Sequence, residues 1–108
     1  MKKYNISEMY NGWFIGNFEP SIIKTKDFEV AHHTHKKGYV NPEGKHYHKI
    51  CTEVNYIVNG KVSISEEIYN KGDFFVYYPN EISNVIFLED TDLIVIKTPS
   101  VPSDKYIV

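Results

Sequence analysis

All five histidines of the chain, His32, His33, His35, His46 and His48, fall between positions 32 and 48. Solvated histidines would scatter along the sequence, so a cluster this tight needs a chemical reason. On a β-strand, residues two apart project to the same face. His46 and His48 therefore aim two imidazole nitrogens at one point. His33 and His35 share a face in the same way, with His32 on the opposite side. Beyond His48, four residues leave room for a turn, after which Glu53 on a neighbouring strand can bring a carboxylate to the first pair. Two neutral imidazoles and one carboxylate, with positions left open, are the donor set of non-haem iron. A related set serves catalytic zinc.

The elements that must position these groups read as strands. Runs rich in Val, Ile, Tyr, Phe and Thr lie at 13–18, 28–34, 53–58, 61–68, 73–78, 84–88 and 92–97. Turn chemistry separates them, at Asn59-Gly60, Asn70-Lys71-Gly72, Pro79-Asn80 and Glu89-Asp90-Thr91. Asn59-Gly60 between two such runs predicts a hairpin, because a type I′ turn needs positive φ at both central residues. The stretches 73–78 and 93–96 are nearly continuous apolar runs and are expected to lie deepest. No segment holds a helical period over three turns, and turns recur every 8 to 12 residues, the spacing of an all-β barrel or sandwich. Residues 36–47 form the longest polar stretch bearing Gly and Pro, and long loops of this kind tend to carry function. The prolines at 99 and 102 cannot continue a ladder, so residues 99–108 are expected as a surface tail.

His46-x-His48, four residues, Glu53, six residues and Gly60 resemble the first motif of the cupin superfamily. The glycine that normally precedes the first histidine by six residues is replaced by Val40. Gly72-Asp73, Pro79, Glu81 and Asn84 are similar to the second motif, with two departures. Glu81 stands where glycine is usual, and Asn84 stands where the fourth ligand, a histidine, is usual. The resemblance covers roughly residues 38 to 97. It implies an all-β fold, a single small antiparallel cupin-type (jelly-roll) barrel formed by residues 1–108. It further implies a divalent transition metal (Fe, Mn, Zn, Ni or Co) held by His46, His48 and Glu53, with Asn84 as a weak oxygen ligand or none. His33 or His35 then takes a catalytic role or substitutes as a ligand. Small barrels of this family pair, so a homodimer is expected, with residues 1–18 as a candidate edge strand.

Composition bounds the rest. The chain has 108 residues, 42% of them apolar, enough for one core and too few for two. Twelve basic against fourteen acidic side chains give a net charge of −2, which argues against a nucleic-acid partner. All twelve bases are lysines, so no planar fork is present to grip phosphate. No window is apolar enough to span a membrane, the N-terminus lacks the apolar stretch of a signal peptide, and the lone Cys51 suits a reducing, cytoplasmic setting. The expected partner is a small polar molecule, a sugar or a keto or hydroxy acid, handled by Lewis-acid or acid/base chemistry. Two alternatives remain. One is a metal-free isomerase or epimerase of nucleotide-linked sugars, whose pattern His46, His48 and Lys49 match, with Glu53 in place of a glutamine. The other is a non-catalytic sensor that binds its ligand without turnover. Lys49 is either a surface stem or a cation facing the site. Cys51 is expected as a buried inert thiol, and Glu81 as a solvated turn carboxylate.

Overall fold

The computed structural model describes all 108 residues. The strands β1 (Trp13–Ile15), β2 (Glu29–His35), β9 (Thr91–Thr98), β4 (Thr52–Asn59) and β7 (Phe74–Tyr77) form one antiparallel sheet in that spatial order. A second sheet has the order β6 (Glu67–Asn70), β5 (Lys61–Ile64) and β8 (Ile86–Phe87). A third is the pair β10 (Tyr106–Ile107) and β3 (His46–Tyr47). One 3-10 turn, Ile6–Glu8, is capped by Asn5. No helix is long and apolar enough to cross a membrane.

β-Branched and aromatic residues at alternate positions build the interior. Ile57 on β4 and Val62 on β5 have no exposed surface, and Phe75, Phe87, Leu93, Val95 and Ala31 pack with them between the layers. Burying side chains of this size stabilises the fold by roughly 1.5–3 kcal/mol each. The three sheets enclose the interior without joining into one continuous hydrogen-bonded cylinder. The barrel is therefore an open jelly roll of packed layers.

Four expectations are corrected. Asn59-Gly60 is not a hairpin turn: β4 pairs with β7 and β9 while β5 pairs with β6 and β8, so the dipeptide carries the chain from one sheet to the other. Gly60 is required there, since its φ is +108° and a Cβ would lie 2.4 Å from Thr91 Oγ1. The run 61–68 is two strands, folded back at Ser65-Glu66, both in the left-handed region. The apolar runs 73–78 and 93–96 are buried on one face only; Phe75 and Leu93 are inside, whereas Phe74 is 59% exposed and Ile96 faces outward. Residues 99–108 are more than a surface tail, because Ser100 and Asp104 are buried and β10 adds to β3. The prolines end one ladder, and the chain then starts another. At the other terminus, residues 13–15 add to the edge of the chain's own five-stranded sheet.

Candidate metal centre and its cavity

His46 and His48 sit on and just after β3, and Glu53 sits near the start of β4. One ligand atom from each lies within 4.8 Å of the others, so the three expected residues do converge. His48 Nε2 is 3.1 Å from Glu53 Oε1. Two donor atoms each ~2.1 Å from one ion and at right angles to each other are ~3.0 Å apart, so this spacing fits two neighbouring ligands.

The tautomers are set from behind. His48 is buried, and its Nδ1–H donates to the main-chain carbonyl of Asp104, which aims Nε2 at Glu53, where a proton bridges the pair until an ion displaces it and takes up the lone pair. His46 Nδ1 lies 3.2 Å from Ser83 Oγ, and the Ser83 and Asn80 amides donate to the His46 and His48 carbonyls at 2.9 and 2.6 Å. The turn between the histidines and Glu53 is nailed by one side chain. The Asp104 carboxylate accepts from the amides of Lys49, Ile50 and Cys51 at 2.9, 3.0 and 2.9 Å. Burial pushes the Asp104 carboxyl up, but these amides outweigh it and hold it below its ordinary range. His48, Cys51 and Asp104 also form a close trio of ligand-type atoms. Its carboxylate is already saturated by amides, and burial pushes the Cys51 thiol up to about 12, so it stays protonated.

Glu53 behaves differently from an ordinary buried acid. Burial pushes its carboxyl up, but hydrogen bonds from His48 and Asn55 Nδ2 (3.0 Å), with the charges of His48 and Lys97, bring it down to about 2. It is a carboxylate at any working pH. Burial lowers His46 below the ordinary imidazole value, which keeps the ring neutral and its lone pair available. Two imidazole nitrogens and an anionic oxygen suit a divalent transition ion.

The cluster lines an open cavity of about 860 Å³, within the ~300–1,000 Å³ common for small-molecule sites. His33 and His35 line it too, as their shared face on β2 predicts, while His32 points out beside Asp92. They form an aromatic wall: His33 meets Trp13 edge-on at 5.4 Å, and His35 stacks on Tyr39 at 4.2 Å and tilts against Phe87 at 4.8 Å. His33 Nε2–H donates to the Asn11 carbonyl at 3.0 Å. Burial lowers the pKa of both rings. The 36–47 loop supplies Tyr39, Val40, Asn41, Gly44 and Lys45 to the rim.

Other expected residues are placed less centrally. Asn84 lines the cavity and is exposed, outside the close donor cluster, its amide donating to Tyr77 Oη at 3.3 Å. Lys49 points away from the cavity, with its ammonium 4.2 Å above the Tyr106 ring. The exposed Glu81 carboxylate accepts from the Tyr78 amide. Ser83, Asn55, Asp104, Glu29 and Lys97 carry no spacing signal that sequence reading could use, and the fold alone brings them to the site.

No family model matches the sequence, and no curated protein matches it. Solved structures do match the fold. KdgF from Halomonas sp. aligns with a TM-score of 0.63 at 22% identity, over 71% of this chain and 74% of that one. Pac13, described as a nucleoside dehydratase, aligns at 0.69 and 13% over 100% and 91%, and the Streptomyces protein has also been solved with uridine. A cupin-2 domain protein from Shewanella frigidimarina aligns at 0.55 and 15% over 71% and 76%. With its packed antiparallel layers and these neighbours, the chain has the double-stranded β-helix fold, which it shares with cupin-domain proteins.

Proposed function

We propose that the chain is a metal-dependent enzyme for a small, oxygen-rich molecule, with His46, His48 and Glu53 holding a divalent transition ion. The observation that carries this reading is the convergence of those three donors on the wall of the 860 Å³ cavity. When bound, the ion supplies Lewis-acid polarisation of a carbonyl or hydroxyl oxygen. The protein's own groups do the rest. The Asp104 carbonyl and Ser83 hydroxyl orient the two imidazoles, and Asn55 steadies the second oxygen of Glu53. His33 and His35 move the proton. Because Nε2–H of His33 is committed to Asn11, its Nδ1 is the atom that accepts. The aromatic wall flanks it on the β2 side of the cavity. Asn84 stays outside the ligand set, which leaves open positions for substrate oxygens. The uridine complex of a fold neighbour supports a small-molecule partner for this cavity. A free, buried Cys51 suits a cytoplasmic setting. The outward apolar row Val30, Ile96, Val54 and Val76 suits a homodimer, which light scattering tests.

One observation favours a second reading. His48 and Glu53 at 3.1 Å also make an imidazole–carboxylate pair that could act as acid and base without metal. Lys49 weakens that reading, since it lies outside the cavity. The deciding test is turnover of a panel of sugars and keto and hydroxy acids after chelation and after each ion is restored. Activity that disappears and returns with one ion supports the metal reading. Full activity after chelation supports the metal-free one. Ion-dependent binding without turnover leaves a sensor.

A further inference from the structure

One row of polar side chains on the cavity wall runs from Glu53 to groups that have no role in holding the ion. Antiparallel register aligns Glu29 on β2 with Lys97 on β9, Lys97 with Glu53 on β4, and Glu53 with Tyr77 on β7. All four line the cavity. Lys97 Nζ is 3.0 Å from Glu29 Oε1, its side chain 10% exposed, and it sits 4.9 Å from the centre of the Trp13 ring. The second Glu29 oxygen accepts from Ser100 Oγ at 2.7 Å, and that hydroxyl accepts from the Asn17 amide at 2.8 Å. Glu29 is thereby pinned from behind.

Lysine is almost never buried this deeply without a partner. A buried ion pair is also a poor means of stabilising a fold, because an apolar pair of similar volume does as well or better. An ammonium has three donors, and Glu29 Oε1 uses one. Lys97 stands between Glu29 and Glu53 in the register, on the wall of the cavity that both histidine pairs line. Around the cavity Lys45, Lys97 and Lys105 balance Glu19, Glu29 and Glu53. A divalent ion makes that balance positive, and an anionic ligand offsets part of the excess.

We propose that Lys97 is a carboxylate-binding subsite, and that the cavity takes small 2-oxo or 2-hydroxy acids in preference to neutral sugars. This rests on the metal reading only for the second contact, in which the 2-oxygen of the acid faces His46, His48 and Glu53. Glu29 is the competitor that the substrate carboxylate must meet for the same ammonium, and it sets how tightly an acid is held.

The test is calorimetric titration of the Co2+-loaded protein with pyruvate and with pyruvamide, its neutral amide. The wild type binds pyruvate about tenfold more tightly than pyruvamide, the worth of one charge-assisted hydrogen bond. Glu29→Gln, which removes the competitor, tightens pyruvate several-fold. The double variant E29Q/K97M, which leaves no orphaned carboxylate, binds the two ligands equally. A purely structural ion pair would not move these two variants in opposite directions. Equal binding by the wild type, a preference that survives E29Q/K97M, or no heat with either ligand overturns the proposal. Co2+ binding is measured first on each protein. Where the wild type takes up no Co2+, the metal reading fails separately, and the same pyruvate-to-pyruvamide ratio on the metal-free protein decides the subsite.

Discussion

Two His-x-His pairs with identical spacing face one cavity, and their surroundings are opposite. His46 and His48 stand beside Glu53 and are backed by a hydroxyl and a carbonyl that set the direction of their lone pairs. His33 and His35 have no carboxylate in reach of a shared ion; aromatic rings surround them, and His33 is tied to a backbone carbonyl. The same spacing thus gives a pair fitted to an ion where an anion and orienting partners are added, and a half-buried pair among aromatic rings where they are not; the proposed function assigns the first to ligation and the second to proton transfer.

The largest effect that sharpens this contrast is at Glu53. Glu53→Gln keeps the shape and removes the charge, and we expect it to weaken Co2+ binding by more than the ~10–100-fold typical of an outer-shell change. H33A/H35A leaves the same affinity unchanged within about threefold. Spectral titration of both proteins checks the pair, and a comparable loss in the two would erase the distinction drawn here.

Asp104 comes next. Asp104→Ala orphans three amides, that of Cys51 buried, and loosens the turn that carries Glu53 towards the histidines. The expected outcome is a loss of at least about 1–3 kcal/mol in urea unfolding and about tenfold in Co2+ affinity. Ile57→Ala, a core change far from this turn, costs about 2–5 kcal/mol and leaves the affinity per folded molecule intact. Co2+ affinity that tracks stability in both variants would show that Asp104 acts on the fold alone.

Acid separates the regions again, by a smaller margin. His33 and His35 have lowered folded pKa values, so the unfolded chain takes up protons first as pH falls below the ordinary imidazole value of 6.5. Their stabilising contribution is present above that value and is lost below it. Glu53 has a depressed folded pKa of about 2 against an ordinary 4.5, so its contribution is lost between those two values. Thermal melts of the metal-free protein therefore fall in two steps on acidification. Glu53→Gln diminishes the lower step, to which Asp104 also contributes, and H33A/H35A diminishes the upper one. A single step in all proteins would contradict the assignment.

Much of this site was legible because it is local. His46, His48 and Glu53 lie within eight consecutive residues, and strand alternation alone places the two histidines on one face. The same rule separated His32 from His33 and His35. Asp104 was illegible because it reaches the turn from 53–55 residues further along the chain, and nothing in its neighbours marks an amide-binding carboxylate. Lys97 ends an apolar run and reads as the polar close of a strand, yet its register opposite Glu29 and Glu53 turns it inward. Asn59-Gly60 misled for a related reason. Its local chemistry is that of a hairpin, and the sheets that claim the flanking strands decide otherwise.

The central claim is that one ion is shared by His46, His48 and Glu53. Elemental analysis of the native protein beside H46A/H48A tests it most directly. The account predicts a transition metal at about one per chain in the native protein and none in the variant. Equal metal content in the two proteins would contradict it.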